Sequence, residues 1–233
     1  MMFAFKFKIK LNLLLLFLMA GLFSCKSSKK IVEPTKKVEV HIEIPEPVET
    51  ETTFDLGAFL SEYLSLKYPD KDFSSFLFVS VQHQQMYLIE KDSIIKKYTV
   101  STAKKGVGNE LHSLKTPLGL HNVKRKIGDN VPLGGILEAR IFNGNIAPIY
   151  EDKTKADGDY VTTRILWLDG EEVGINKGRN IDTYNRFIYI HGTPEEGYIG
   201  EPVSHGCIRM KNADVIELYD LIDEGTPVLI LGK

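Results

Sequence analysis

Short apolar runs of strand length, separated by polar turns, fill most of the chain beyond residue 75 and leave little room for helix. The first three are Phe76-Leu77-Phe78-Val79-Ser80-Val81, Met86-Tyr87-Leu88-Ile89 and Ile94-Ile95-Lys96-Lys97-Tyr98-Thr99-Val100, with turns at Gln82 to Gln85 and Glu90 to Ser93. Runs this short, rich in β-branched and aromatic residues, read as strands, and the tight turns predict an antiparallel meander. Thr116-Pro117-Leu118-Gly119 leads into Leu120 to Val123, Arg164 to Leu168 forms another run, Phe187 to Ile190 a further one, and Gly225-Thr226-Pro227 opens Val228 to Leu231. Two helices are predicted. Phe54, Leu56, Phe59, Leu60, Tyr63 and Leu64 recur at helical spacing before Pro69, and a second helix begins at Lys211 or Asn212 and carries Val215, Ile216, Leu218, Tyr219 and Leu221. The fold class is therefore mainly β with a few short helices. The intervals Gly128 to Gly144 and Glu151 to Asp159 read as loops too long for tight hairpins, serving either to shape a groove or as surface decoration.

The chain begins differently. Lys6, Lys8 and Lys10 precede an apolar run from Leu11 to Leu22. As a helix this run spans about 18 Å, short of the roughly 30 Å of a bilayer core. A basic head and a short apolar stretch make an export signal. The stretch ends in Leu22-Phe23-Ser24-Cys25, which resembles the lipobox of bacterial lipoproteins, where the cysteine is lipidated and becomes the mature N-terminus. Residues 26–53, rich in Lys, Glu, Thr, Val and Pro, cannot bury a core and read as an extended tether. The expected organisation is a signal segment over 1–25, a tether over 26–53, a helical lead-in over 54–74 and one β-rich domain over 75–232.

Composition excludes some partners and permits a self-sufficient core. Hydrophobic residues make up 43% of the chain, with 10 Tyr and 12 Phe, enough to fold without disulfides or metals. The balance of 29 basic against 31 acidic residues becomes more acidic once the three early lysines leave, so no nucleic-acid partner is expected.

The two cysteines, Cys25 and Cys207, stand in contexts too different to suggest a pair. Chemistry concentrates in His191-Gly192-Thr193 and, after a loop, Ser204-His205-Gly206-Cys207-Ile208-Arg209-Met210. A thiol becomes a nucleophile when a base or positive charge favours its thiolate, and a base must be rigidly held within reach. His191 at the end of an apolar strand meets that need. Cys207, just ahead of the predicted helix, can also feel the helix's positive end. The amides of Gly206 and Cys207 can stabilise an oxyanion. Two other readings stay open: Cys207 as a small buried hydrophobe, and a zinc site with His191 and His205 that lacks an evident fourth ligand.

These same residues, His191-Gly192 followed by Ser204-His205-Gly206-Cys207 and Arg209, together with the Thr116-Pro117-x-Gly119 turn, resemble the L,D-transpeptidase catalytic domain, the YkuD-type fold. The likeness spans about Phe76 to Leu231. It implies a sandwich-like catalytic fold, without metal or organic cofactor, acting on peptidoglycan stem peptides. It implies Cys207 as nucleophile and His191 as proton acceptor and donor. Gly192 falls where the family places a third, orienting group, and offers only its backbone carbonyl. Ser204, His205 and Arg209 are implied as site-shaping residues, Arg209 standing where other members carry asparagine. Tyr184 and Tyr189 are the nearby tyrosines for an oxyanion side chain.

The expected function is a lipid-anchored, periplasm-facing L,D-transpeptidase forming a cysteine thioester on stem tetrapeptides, for 3-3 cross-linking, protein attachment or D-amino-acid exchange. Its rate is expected to vary with pH through the neutral range as the Cys–His pair ionises. An L,D-carboxypeptidase using the same residues, or a non-catalytic envelope-binding lipoprotein, are the alternatives. A papain-like protease fits poorly, since there the cysteine precedes its histidine.

Overall fold

Ten strands and two α-helices make up the regular structure of residues 54–232, the part of the chain described by the computed structural model. Cys25, the signal segment and the tether lie outside the described residues. Helix α1 (Leu56–Lys67) is followed by strands β1 (Ser75–Ser80), β2 (Gln85–Glu90), β3 (Ser93–Thr99), β4 (Gly119–Ile127), β5 (Gly135–Glu138), β6 (Ile141–Ile146), β7 (Thr162–Gly170), β8 (Tyr189–Gly192) and β9 (Ile208–Met210). Helix α2 (Asn212–Leu221) and β10 (Pro227–Leu231) complete the order.

The strands form one mixed sheet in the order β3-β2-β1-β10-β4-β7-β5-β6, with β8 branching from β7 and β9 pairing with β8. The β1–β2–β3 meander is antiparallel as its turns require, whereas β10 pairs parallel to β1 and β9 parallel to β8. Sequence periodicity carries no information about those two long-range pairings.

Strand β1 shows why these runs are almost continuously apolar. Leu77 and Val79 point into the main core with Leu166, Leu168, Ile190, Ile208 and Met210, and α2 covers that side with Val215, Leu218 and Tyr219. Phe76 and Phe78 point the other way, into a second core closed by Leu60 and Leu64 of α1. A strand buried on both faces has no polar alternation to show. Helix α1 starts where the Asp55 carboxylate accepts hydrogen bonds from the amides of Gly57 and Ala58. Its buried stripe is narrower than its spacing predicts, since Phe59 remains exposed.

The interval read as a glycine-rich loop contains the β5–β6 hairpin. Its two central residues, Ala139 and Arg140, have φ of 44° and 70°, the geometry usually supplied by Asn-Gly, so the usual turn signal is missing. Strand β6 is exposed along its whole length, which removes the alternation as well.

The two cores predict a sharp contrast. Leu166→Ala, at a fully buried position of β7, should lower unfolding free energy by about 2–5 kcal/mol. Leu66→Ala, where the side chain is 77% exposed, should stay within about 0.5 kcal/mol. Urea unfolding of both variants measures the difference.

Candidate active site

Alternation along two short parallel strands builds the site. Ile190 of β8 pairs with Ile208 of β9, and both face the main core. His191 pairs with Arg209, so these two face the opposite way. Tyr189 on β8 and Cys207, the residue just before β9, lie two positions earlier in the chain and line the same cavity. His191, Cys207, Tyr189, Ser204, His205 and Arg209 accordingly line one cavity of about 210 Å³. A larger cleft of about 520 Å³ shares Asp159, His205 and Arg209 with it and extends past Lys104 and Lys155.

The imidazole of His191 is buried, and its Nδ1 lies 2.7 Å from the Gly192 carbonyl. Only an Nδ1–H can donate to that oxygen, which makes Nε2 the basic nitrogen of the neutral ring. Burial pulls the His191 pKa down to about 4, with Arg209 adding to the effect, against the Gly192 carbonyl and Asp159. Burial pushes the Cys207 thiol up to about 11, opposed by the Tyr189 amide, Arg209 and Arg186. That amide donates to Sγ at 3.4 Å, and the thiol donates to the Phe187 carbonyl at 3.4 Å. The resting pair is thus thiol and neutral imidazole. Desolvation moves both titrations out of the neutral range, where the sequence had placed them. The expected help from the helix terminus is also reduced, because β9 stands between Cys207 and the start of α2.

The loop before Cys207 is stapled from within. Ser204 Oγ donates to the Cys207 carbonyl at 2.6 Å and accepts from the Gly206 amide at 3.2 Å. That bond occupies the Gly206 N–H, one of the two amides expected to face an oxyanion. Gly206 has φ 136°, a conformation that side-chain-bearing residues rarely adopt, and its carbonyl accepts from Thr116 Oγ1 at 3.0 Å. Thr116, in the Thr-Pro-x-Gly turn, therefore fixes the thiol loop from below.

Arg209 is buried and committed. Its guanidinium pairs with Asp159 at 2.5 Å and Glu195 at 2.8 Å, so it is not held open for a substrate anion. His205 is exposed, and its Nδ1 lies 2.6 Å from the other Asp159 oxygen. Asp159 thereby ties the 151–159 segment to the thiol loop.

Behind His191 sits a polar knot around Asn212. Its Oδ1 accepts from the hydroxyls of Thr162 at 2.7 Å and Thr163 at 2.5 Å, while its Nδ2 donates to the Thr193 carbonyl at 2.8 Å and Glu196 at 2.7 Å. Thr163 holds φ 70° at a bulge in β7, an outlier for a β-branched residue. The knot also explains Gly192. A Cβ there would lie 2.5 Å from Asn212 Oδ1 and 2.8 Å from the Thr162 carbonyl, so no side chain fits and the backbone carbonyl holds the imidazole.

Asp159, Glu195, Arg186, Thr162 and Asn212 were not picked out by the sequence. Asn212 shows there only as a helix start, and the acids only as members of an acidic surface.

A neutral imidazole on β8 and a thiol at the entry to β9, lining one cavity, define this as a mainly β protein with a cysteine–histidine site. The L,D-transpeptidase catalytic domain model, YkuD, matches residues 74–230, and the chain belongs to that family. It is 56% identical over 41 residues to the putative L,D-transpeptidase YkuD of Bacillus subtilis (strain 168), covering 18% of this chain and 25% of that protein. It is 50% identical over 48 residues to the putative L,D-transpeptidase YqjB of the same organism, covering 21% and 27%. The aligned segments thus span about a quarter of each relative's length. Among solved structures, an L,D-transpeptidase from Mycobacterium smegmatis superposes with a TM-score of 0.45 at 16% identity, covering 68% of this chain and 59% of that one. L,D-transpeptidase 3 from Mycobacterium tuberculosis, in complex with a faropenem-derived adduct, gives 0.43 at 17%, covering 67% and 60%.

Two predictions follow from the site's burial. Asn212→Ala leaves two threonine hydroxyls and a carbonyl unpartnered in a buried space and should cost about 3 kcal/mol in urea unfolding. His191, and His121 buried on β4 outside the site, both have folded-state values lowered to about 4, principally by burial, while an unfolded histidine titrates near 6.5. The unfolded state therefore binds more protons between those values. Stability is complete above about pH 6.5 and falls as pH drops towards 4, by up to about 3 kcal/mol per histidine. Urea midpoints at pH 7.5 and pH 4.5 test this, and equal midpoints would contradict neutral buried histidines.

Proposed function

We propose that the chain is a peptidoglycan L,D-transpeptidase working through a thioester on Cys207. The observation that carries this reading is that His191 on β8 and Cys207 at the entry to the parallel strand β9 line one cavity while Gly192 holds the imidazole by Nδ1. Family membership supplies the reaction class, and the roles of individual residues are our assignment.

In the first half-reaction, Sγ attacks the carbonyl joining the L-centre of the diamino acid to the terminal D-alanine of a stem tetrapeptide. His191 Nε2 takes the thiol proton as the C–S bond forms and gives it to the departing amine as the C–N bond breaks. The Cys207 amide faces the developing oxyanion. In the second, an acceptor amine attacks the thioester, His191 takes its proton, and the proton returns to sulfur as the C–S bond breaks. Atoms and charge balance without ATP. Because the resting pair is neutral, proton transfer accompanies attack rather than preceding it. Ser204, Gly206 and Thr116 hold the thiol loop, and Arg209 with Asp159 and His205 forms the neighbouring wall. Cys25 is assigned as a lipidated N-terminus that holds the domain at a membrane facing the wall, with 26–53 giving it reach.

Intact-protein mass spectrometry with a tetrapeptide donor should show one acyl adduct on the wild type and none on Cys207→Ala. Products from sacculi should include cross-linked dimers, whereas trimmed tripeptides alone would assign a carboxypeptidase. The acylation rate should hold level through neutral pH and fall on acidification as His191 becomes protonated. A rate that instead climbs steeply between pH 6 and 8 contradicts the neutral resting pair.

A further inference from the structure

Against Tyr189 and Phe187, two residues that line the thiol cavity, lies an arginine that the mechanism does not use, itself lining a separate cavity with Leu137 and Phe142. Arg140 occupies the tip of the β5–β6 hairpin at φ 70°. Its guanidinium carbon lies 4.9 Å from the centroid of the Trp167 ring and 5.2 Å from that of Phe187. Its Nη1 donates to the Tyr189 hydroxyl at 3.3 Å. Tyr189 in turn donates its amide to the Cys207 sulfur, and both Tyr189 and Phe187 line the thiol cavity. The hairpin thus lays a cation against the aromatic wall of the site.

The other arginines compared with it are bound by more acceptors, although the buried Nε of Arg164 has no hydrogen-bond partner among the described residues. Arg209 is paired with two carboxylates, Arg186 donates to the carbonyls of Gly108 and Lys115, and Arg164 to those of Val131 and Thr163. Arg140 is half-buried, and among the described residues its acceptor is a single neutral phenol, with no acidic partner. Stacking on two aromatic rings fixes the plane of a guanidinium while leaving its edge donors open. A planar fork held that way matches a carboxylate. The left-handed backbone of Ala139 and Arg140 is maintained without glycine, a strain often stored where a side chain must be aimed.

We propose that Arg140, assisted by the Tyr189 hydroxyl, binds a free carboxylate of the donor stem peptide and so selects donors by the charge they carry beside the scissile bond. The assignment rests on the function proposed above. A stem tetrapeptide offers this chemistry from more than one place: the terminal D-residue, the side chain of the diamino acid, and the α-carboxylate of the γ-linked glutamate. A neutral amide at the recognised place loses the charge-assisted pair and leaves the guanidinium facing a poor acceptor.

The test uses the wild type, Arg140→Gln and Arg140→Lys with the tetrapeptide and with versions in which each carboxylate is singly converted to a carboxamide. Acylation is read by intact mass against time, and melting curves report folding. In the wild type, one carboxamide should slow acylation by about 10- to 100-fold, the worth of a hydrogen bond to a charged group. Arg140→Gln should slow the parent peptide to that same level and become indifferent to that one carboxamide. Arg140→Lys, which keeps charge but loses the fork, should fall between. The blocked position that matters identifies the source of the carboxylate. Wild type that acylates all peptides equally, or Arg140→Gln that retains the wild-type preference, overturns the inference while leaving the transpeptidase reading intact. Wild type that acylates none of them overturns that reading, and this inference with it.

Discussion

The parallel register of β8 on β9 is the constraint from which the site follows. Pairing Ile190 with Ile208 sends both isoleucines into the core, and the two-residue period then leaves His191 no choice but the opposite face, with Cys207 at the entry to β9 beside it. A slip by one residue would bury the imidazole among leucines and expose the isoleucines. The hydrophobic effect that assembles the main core therefore also places His191 and Cys207 at one cavity, and no separate device is needed to bring them to it.

Burial has a second consequence at the same place. Removing water from around His191 and Cys207 disfavours both charged forms, so the sheet that aligns the two groups also keeps them uncharged at rest. Arg209 is the nearby permanent charge that the site must tolerate, and it is held by Asp159 and Glu195, which come from separate loops. One buried cation thereby fastens the 151–159 segment and the 193–198 turn to the strand that follows the thiol. Truncating either acid would leave a charge under-compensated in a dry setting, a larger loss than a surface ion pair represents.

How much of this was visible beforehand depended on the kind of signal each residue leaves. The runs around Phe76, Leu88 and Leu166 announced strands because they are apolar on one or both faces and bounded by polar turns. Strands β5 and β6 left no such trace, since the hairpin turns on Ala139–Arg140 and β6 faces solvent; β9, three residues long, is too brief to show a period. His191 and Cys207 stood out by their chemistry and their neighbours. Asp159, Glu195 and Asn212 did not, because their importance is relational: an acid on a polar loop and an asparagine at a helix start acquire their roles only when the fold delivers their partners from 14 to 50 residues away. Gly192 shows the same limit. Its lack of a side chain is visible in the sequence, whereas the reason, the Asn212 oxygen occupying that space, is three-dimensional.

Strand β6 closes one margin of the sheet with Ile141 and Ile146 both facing solvent, a combination that in a flat ribbon would invite another chain to dock along it. Gly144, midway along, adopts φ 87° and breaks the straight row of backbone donors and acceptors. The margin thus presents a bent rail rather than a ladder, and neighbouring copies can sit side by side without knitting their sheets together.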